Sequence, residues 1–169
     1  MDVKKILHMR EAGHVQRCHC MPHHGSYDVA QHTFHMLCLL MELHPEPTLE
    51  LYQAIMTHDM AERWTGDSPA IIKRSFPALK SALTEAEEFV RKKTGIECDC
   101  FDPDGWISAL DNIEFFLWCD DQINLGNVGI RGKRKEVENW FMENFKTLPA
   151  ECQEFMKRYE WQRTADYLE

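Results

Sequence analysis

Residues 28–47 read DVAQHTFHMLCLLMELHPEP, and this stretch decides the fold class. Asp28 is a typical N-cap residue, because its short side chain can accept a hydrogen bond from a backbone N–H of the first helical turn. A strongly apolar segment follows it, and Pro45 and Pro47 end that segment, since proline cannot continue a helix. The pattern predicts a buried helix over residues 29–44.

Helical periodicity continues on both sides of this segment. Apolar residues recur at helical spacing, and glycines or prolines separate the periodic segments. The further predicted helices cover residues 2–12, 49–65, 69–75, 77–93 (one helix, or two separated near Thr84), 106–125, 133–146 and 149–167. Residues 13–28 and 96–105 lack periodicity and are predicted to be loops. Almost nothing alternates with period two, so we predict an all-α fold, a single compact helical bundle in one domain over residues 1–169.

Composition narrows the class of protein. The chain has 169 residues, of which 44% are hydrophobic and 28% charged, and this excludes collagen-like, low-complexity and disordered classes. The longest apolar run, residues 36–41, is far shorter than the ~20 residues of a membrane span. The first residues show no secretory signal, so we expect a cytoplasmic protein without a membrane partner. A net charge of −9 argues against a nucleic-acid polymer as partner but not against a small anionic substrate held by local cations.

The seven cysteines do not form a typical disulfide pattern, because their number is odd. We expect mostly reduced thiols. Two Cys-x-Cys pairs, Cys18/Cys20 and Cys98/Cys100, leave open a structural zinc site, although zinc ligands are usually separated by two to four residues.

Four polar residues fall inside otherwise apolar predicted helices. His58 and Asp59 are adjacent, His32 lies in the upstream helix, and Asp111 lies between Leu110 and Ile113 in a later helix. A buried carboxylate beside an imidazole is costly without a partner. Two histidines and two aspartates form a mixed nitrogen and oxygen set that suits one ion of Zn, Co, Mn, Ni or Fe. Each residue alone has an ordinary alternative: a hydrogen-bonded interior histidine, an aspartate paired with arginine, or a surface aspartate.

Two more acids follow the His58-Asp59 pair. In a continuous helix, Glu62 would lie on the same face as His58 and Asp59, because residues three and four apart are neighbours. Asp67 follows Gly66, which we predict to end that helix. Acids beside a metal are candidates for orienting and deprotonating a water molecule, so Glu62 and Asp67 are our candidate catalytic residues.

The order His32, His58-Asp59 and Asp111 resembles the metal-binding signature of the HD-domain metal-dependent phosphohydrolases. Residues 29–32 (VAQH) and 58–69 (HDMAERWTGDSP) resemble the bacterial 5′-deoxynucleotidases and small bacteriophage deoxynucleotide phosphohydrolases, including dATP triphosphohydrolases. Residues 13–19 (GHVQRCH) are closer to the phage branch. The resemblance implies a helical bundle of the HD-domain type, a bacterial or phage-infected host cell, and a homo-oligomer.

The resemblance also implies contacts to the substrate. Arg17 falls where these families place a substrate-binding arginine, and a guanidinium can bind phosphate in bidentate fashion. Lys73 could supply a further positive charge, although a surface lysine on an acidic protein often has no such role. Cys18 and Trp64 are candidates for the pocket of the base and sugar, as are Met21, Pro22 and Ile72, but residues of these types are at least as often core residues.

Three functions follow as hypotheses. The first is a metal-dependent deoxynucleotide phosphohydrolase, which either releases triphosphate from a dNTP attacked at the α-phosphorus or releases phosphate from a dNMP. The phage-like segment favours a dNTP such as dATP, whereas Ser108, where relatives often carry a basic residue, favours a dNMP. The second is a non-catalytic metal-binding regulatory module. The third is an interaction protein stabilised by zinc bound to the cysteine pairs.

Overall fold

A computed structural model gives the three-dimensional structure, and it describes residues 2–96, 102 and 104–166, the last seven of these by their backbone alone. Within these ranges the regular elements are helical, apart from an isolated β-bridge between Gln16 and Asp28. The prediction of an all-α fold is therefore confirmed. No helix in the described part of the chain has the length and apolar character needed to cross a bilayer.

The chain divides into two compact units, which are described separately here. The first comprises Met1–Phe34 and Thr48–Cys100, and the second comprises His35–Pro47 and Phe101–Glu169. The first unit contains α1 (Val3–Ala12), the first residues of α2 (Val29–Leu43), α3 (Leu49–Thr57), α4 (Glu62–Thr65), α5 (Ala70–Ser75) and α6 (Pro77–Thr94). The sequence analysis expected a single domain over residues 1–169, and this expectation stays a prediction.

The second unit contains the rest of α2, then α7 (Trp106–Asn124), α8 (Arg131–Asn144) and α9 (Ala150–Asp166), with short 3₁₀ turns at Val128–Ile130 and Phe145–Thr147. A buried ion pair lies in its interior, where Arg134 Nε donates to Asp120 Oδ1 at 2.9 Å and Tyr159 donates to Oδ2 at 3.1 Å. The Arg134 guanidinium also lies 4.2 Å from the centre of the Phe116 ring. These contacts compensate the cost of burying both charges.

Most predicted helices are confirmed to within about two residues at each end. The helix before Gly95 runs unbroken through Thr84, and Gly95 ends it with φ 65°, a left-handed conformation that favours glycine. The loop predicted for residues 96–105 lies mostly outside the described residues, and so does the Cys98/Cys100 pair.

The helix predicted over residues 49–65 is wrong in its middle, because α3 ends at Thr57 and α4 begins at Glu62. Two carbonyls that a continuous α-helix would use accept other donors. Ile55 C=O accepts from His58 Nδ1 at 2.7 Å, and His58 C=O accepts from Arg91 Nη2 at 2.6 Å. The Glu62 N–H accordingly donates to Asp59 C=O at 3.0 Å, three residues back rather than four. A tight turn over residues 58–61 replaces the α-helix, and His58 and Asp59 lie in it.

A small apolar cluster holds this turn in the first unit. Met60, in the middle of the turn, is buried with Ala12 at the end of α1 and with Ile96 after α6, and Met9 packs against them. Burial of a methionine side chain contributes about 1.5–3 kcal/mol. The turn is therefore fixed by packing as well as by hydrogen bonds.

Candidate metal centre

His32 is fixed in its orientation from the N-terminal turn of α2. Its side chain is fully buried, and its Nδ1 lies 3.2 Å from the hydroxyl of Tyr27, which is also fully buried. A histidine that binds a metal through Nε2 commonly has its other ring nitrogen hydrogen-bonded in this way. The contact with Tyr27 leaves Nε2 as the nitrogen that faces the other residues of the centre.

The ring of His58 is also held through its Nδ1 atom, but by a different partner. Its Nδ1 donates to the backbone carbonyl of Ile55 at 2.7 Å, and a carbonyl can only accept. The proton of the neutral imidazole is therefore on Nδ1, and Nε2 carries the lone pair that a metal needs. Arg91 of α6 holds the backbone carbonyl of His58, so both ends of the residue are fixed.

The two Nε2 atoms meet at the carboxylate of Asp59. Asp59 Oδ2 lies 3.2 Å from His58 Nε2 and 3.9 Å from His32 Nε2, and the three ligand atoms lie within 4.8 Å of one another. Ligands about 2.1 Å from a tetrahedral ion are about 3.4 Å apart, so a small shift of the side chains would bring all three to one ion. Among the described residues, this is the group of histidine, cysteine and acidic side chains that could hold a metal.

Arg17 reaches the same carboxylate from the loop of residues 13–28. The bridge between Gln16 and Asp28 closes this loop, and the Arg17 N–H donates to Tyr27 C=O at 2.8 Å. The guanidinium forms an ion pair with Asp59 Oδ2 and lies 5.5 Å from the centre of the Tyr27 ring. The structure thus places Arg17 beside Asp59, a candidate metal ligand, and its part in substrate binding stays a prediction.

Asp67 holds the residue that follows Arg17. Its Oδ2 accepts a hydrogen bond from the Cys18 backbone N–H at 3.0 Å. Cys18 has φ 55°, a left-handed conformation that is unusual for a residue other than glycine. The carboxylate therefore stabilises a strained turn that presents Arg17, a contact that the sequence did not predict for Asp67.

The acids of the centre differ in their pKa values. Burial opposes the ionisation of Asp59, but His58, Arg17 and His32 outweigh it and hold the pKa of this carboxyl well below its usual range. For Glu62, burial and then the charges of Asp59 and Asp67 raise the pKa to about 8, against the lowering influence of Arg17 and Lys73. Without a bound ion, Asp59 is therefore a carboxylate at neutral pH and Glu62 is mostly a neutral acid.

The raised pKa of Glu62 predicts how stability depends on pH. The folded protein keeps this proton up to about pH 8, whereas the unfolded chain releases it near the ordinary value of 4.5. Stability should therefore fall as the pH rises from about 5 to 8. In Glu62→Gln, which stays neutral, this part of the fall should be absent. Melting temperatures of both proteins in chelator at pH 5, 6, 7 and 8 measure the difference, and parallel curves would contradict the assignment.

The remaining residues discussed as site candidates are Lys73, Trp64 and Asp111. Lys73 of α5 lies close enough to lower the pKa of Glu62. Trp64 contacts His8 of α1, with ring centres 5.3 Å apart, and the guanidinium of Arg63, so its place in a substrate pocket stays a prediction. Asp111 lies in α7, in the second unit, and its part in metal binding stays a prediction as well.

The cysteine prediction is confirmed for the residues that the structure describes. Among these residues, Cys18, Cys20, Cys38, Cys119 and Cys152 take part in no disulfide. Burial, with a smaller contribution from Glu151, raises the pKa of the Cys152 thiol to about 12, so it stays protonated. The zinc site left open for the two Cys-x-Cys pairs also needs Cys98 and Cys100, which lie outside the described residues.

Sequence reasoning missed two residues that support the centre, Tyr27 and Arg91. Tyr27 contacts both His32 and Arg17, and Arg91 holds His58 through its carbonyl. Tyr27 stands directly before the predicted N-cap Asp28 and five residues before His32, so its position in the sequence could have indicated a contact with His32. Arg91 is 33 residues from His58 and gave no local signal.

Neither a scan against protein-family models nor a search of curated proteins found a match to the chain.

Proposed function

We propose that the protein is a metal-dependent phosphohydrolase of deoxynucleotides. The observation that carries the proposal is the convergence of His32 Nε2 and His58 Nε2 on Asp59 Oδ2, with both Nδ1 atoms engaged elsewhere. Two imidazoles and one carboxylate, with positions left open for water and substrate, are typical of hydrolytic metal centres. The resemblance of residues 29–32 and 58–69 to the HD-domain phosphohydrolases supports the same function.

The donor set fits one divalent transition metal. Nitrogen and oxygen ligands suit Zn, Co, Mn, Ni or Fe, and Asp111 remains the proposed fourth ligand. When bound, such an ion would neutralise a phosphate oxygen and lower the pKa of a water molecule toward ~7.

The surrounding residues have roles that follow from their charge. Arg17, which pairs with Asp59, and Lys73, whose charge lowers the pKa of Glu62, are the proposed phosphate-binding residues. Glu62 is buried, and among the described atoms its Oε2 has no hydrogen-bond partner. A carboxyl group at this position can deprotonate a water molecule when it is ionised and protonate a leaving alkoxide when it carries the proton, which is the role we propose for Glu62.

The substrate follows from the resemblance and from charge. We propose a dNTP, dATP-like, converted to deoxynucleoside and triphosphate, with conversion of a dNMP to deoxynucleoside and phosphate as the alternative. A triphosphate carries more negative charge than a monophosphate. Arg17 and Lys73 supply two proposed cations, and Ser108 does not supply a further one. The number of nearby cations is therefore the feature on which the choice between the two substrates depends.

One assay tests the function and the substrate together. The protein is incubated with Mn, Co or Zn and a panel of dNTPs, dNMPs and ribonucleotides, and the phosphorus product is identified by ³¹P NMR. Release of triphosphate supports the first substrate, and release of phosphate from a dNMP supports the second. Asp59→Ala, purified identically, controls for contaminating phosphatases. No turnover of any substrate with any metal, together with stoichiometric metal binding, would favour the regulatory module instead.

Arg17→Ala should raise KM about 10–100-fold at saturating metal, since a hydrogen bond to a charged group contributes about 1.5–3 kcal/mol. Arg17→Lys should restore only part of the binding, because the planar fork of the guanidinium is lost. Steady-state kinetics on the three proteins measure the effect. If Arg17 only neutralises Asp59, both variants will keep the wild-type KM, and Arg17→Ala, which loses the charge, will melt earlier in chelator.

A further inference from the structure

A cleft of about 530 Å³ lies in the first unit, away from the candidate metal centre. Its walls are the start of α1, Trp64 of α4 and the C-terminal turns of α6. None of His32, His58 and Asp59 lines it. Its volume is within the range of about 300–1,000 Å³ that is typical of small-molecule sites.

The charge of this cleft is opposite to that of the whole protein. Lys4, Lys5 and Lys93 line it, with Asp2 as the acid among its lining residues. Asp2 already accepts a hydrogen bond from the backbone N–H of Lys5 as the N-cap of α1. Lys5 Nζ donates to Gly95 C=O, which joins the start of α1 to the end of α6. On a chain with a net charge of −9, this convergence of lysines gives the cleft a local positive charge.

Aromatic rings form the other part of the lining. Trp64 and Phe89 are 38% and 63% exposed, although apolar side chains of this size are usually more buried. His8 fixes the Trp64 ring by an edge contact with centres 5.3 Å apart, and Lys93 Nζ lies 5.8 Å from the centre of the Phe89 ring. Exposed rings beside cations offer a stacking surface together with a charge partner.

We propose that this cleft binds a small anion that carries an aromatic ring, of the nucleotide class. The rings of Trp64 and Phe89 would contact the base, and Lys4 and Lys93, both exposed, would contact the phosphates. The proposal does not depend on the function of the metal centre, with which the cleft shares no ligand. Under this proposal Trp64 would contact the ligand of the cleft and not the substrate of the metal centre.

The test is the binding of ATP to the full-length protein in excess chelator, measured by isothermal titration calorimetry. Chelator removes divalent ions, so no turnover is required. Lys93→Glu should weaken ATP binding about 10-fold or more, in line with loss of a charged hydrogen bond. Lys92→Glu is the matched control, because it is the neighbouring exposed residue of α6, makes the same charge change and does not line the cleft. It should change the affinity by less than about twofold, since adjacent helical side chains point about 100° apart.

Two further arms separate the ring from the anion and the cleft from the metal centre. Phe89→Ala should weaken ATP but not inorganic tripolyphosphate, and adenosine should bind more weakly than ATP. Arg17→Ala should leave ATP binding at the cleft unchanged. Absence of ATP binding at millimolar concentration, or equal losses in Lys92→Glu and Lys93→Glu, would overturn the proposal. Equal binding of tripolyphosphate and ATP, unaffected by Phe89→Ala, would overturn the nucleotide class.

Discussion

Asp59→Ala should abolish stoichiometric metal binding and, with it, the metal-dependent rise in melting temperature. Asp59 Oδ2 is the atom on which both imidazoles converge, so its loss removes one of the three ligands. An outer-sphere partner of a metal ligand is worth about 10–100-fold in affinity, and a direct ligand should be worth more. Wild-type protein at a metal concentration of about 100 times Kd gains about 2.7 kcal/mol, or about 5–10 °C for a chain of this size.

The measurement compares each protein with itself, with and without metal. Asp59→Ala also removes the partner of Arg17, so its melting temperature in chelator should fall for a reason unrelated to the ion. The informative quantity is therefore the difference between metal and chelator, together with metal content by mass spectrometry. Asp104→Ala removes an exposed carboxylate and serves as the control. Full metal content in Asp59→Ala would refute the centre.

Glu62→Ala should lower kcat by about 10²–10⁴-fold while the fold and the bound metal are retained, which is the usual contribution of general acid–base catalysis. The buried carboxyl has a pKa of about 8 and lies beside Asp59 without being one of the three converging ligands. Measurement of kcat, metal content and melting temperature on the same preparation separates this role from a structural one. A structural role predicts loss of metal or stability first, with turnover reduced in proportion.

Asp67 needs a pair of variants, because the structure gives it a second role. Asp67→Asn keeps an oxygen that can accept the Cys18 N–H but loses the charge, whereas Asp67→Ala loses both. If Asp67 takes part in proton transfer, Asp67→Asn should lose about 10²–10⁴-fold in kcat. If it only holds the turn that presents Arg17, Asp67→Asn should be nearly normal and Asp67→Ala should raise KM.

Most helices could be predicted from the sequence because apolar residues recur at helical spacing and several helices, such as α1 before Gly13 and α6 before Gly95, end at a glycine. The exception at residues 58–61 has a physical cause that no local pattern contains. Arg91 takes a carbonyl that the helix would need, and it does so from another helix. The sequence analysis placed Glu62 beside His58 and Asp59 by assuming a continuous helix, and that assumption was wrong. The turn itself brings Glu62 there, through the bond from Glu62 N–H to Asp59 C=O.

Three of the four predicted metal ligands lie together in the candidate centre, whereas the residues that support them were not predicted. His32, His58 and Asp59 were visible because charged or polar residues are rare in apolar segments. Tyr27, Arg91 and the contact of Asp67 with Cys18 depend on how the loop of residues 13–28 and α6 pack on the turn, which is tertiary information. Asp111 belongs to the second unit, so the sequence resemblance remains its support.

The ion pair between Arg17 and Asp59 bears on the order of events after synthesis. A carboxylate at this partly buried position costs free energy when it has no partner, and the guanidinium supplies a neutralising charge from within the chain. If the proposed ion binds, the fold would therefore form first and the ion would load later, with Arg17 released from Asp59 at that step.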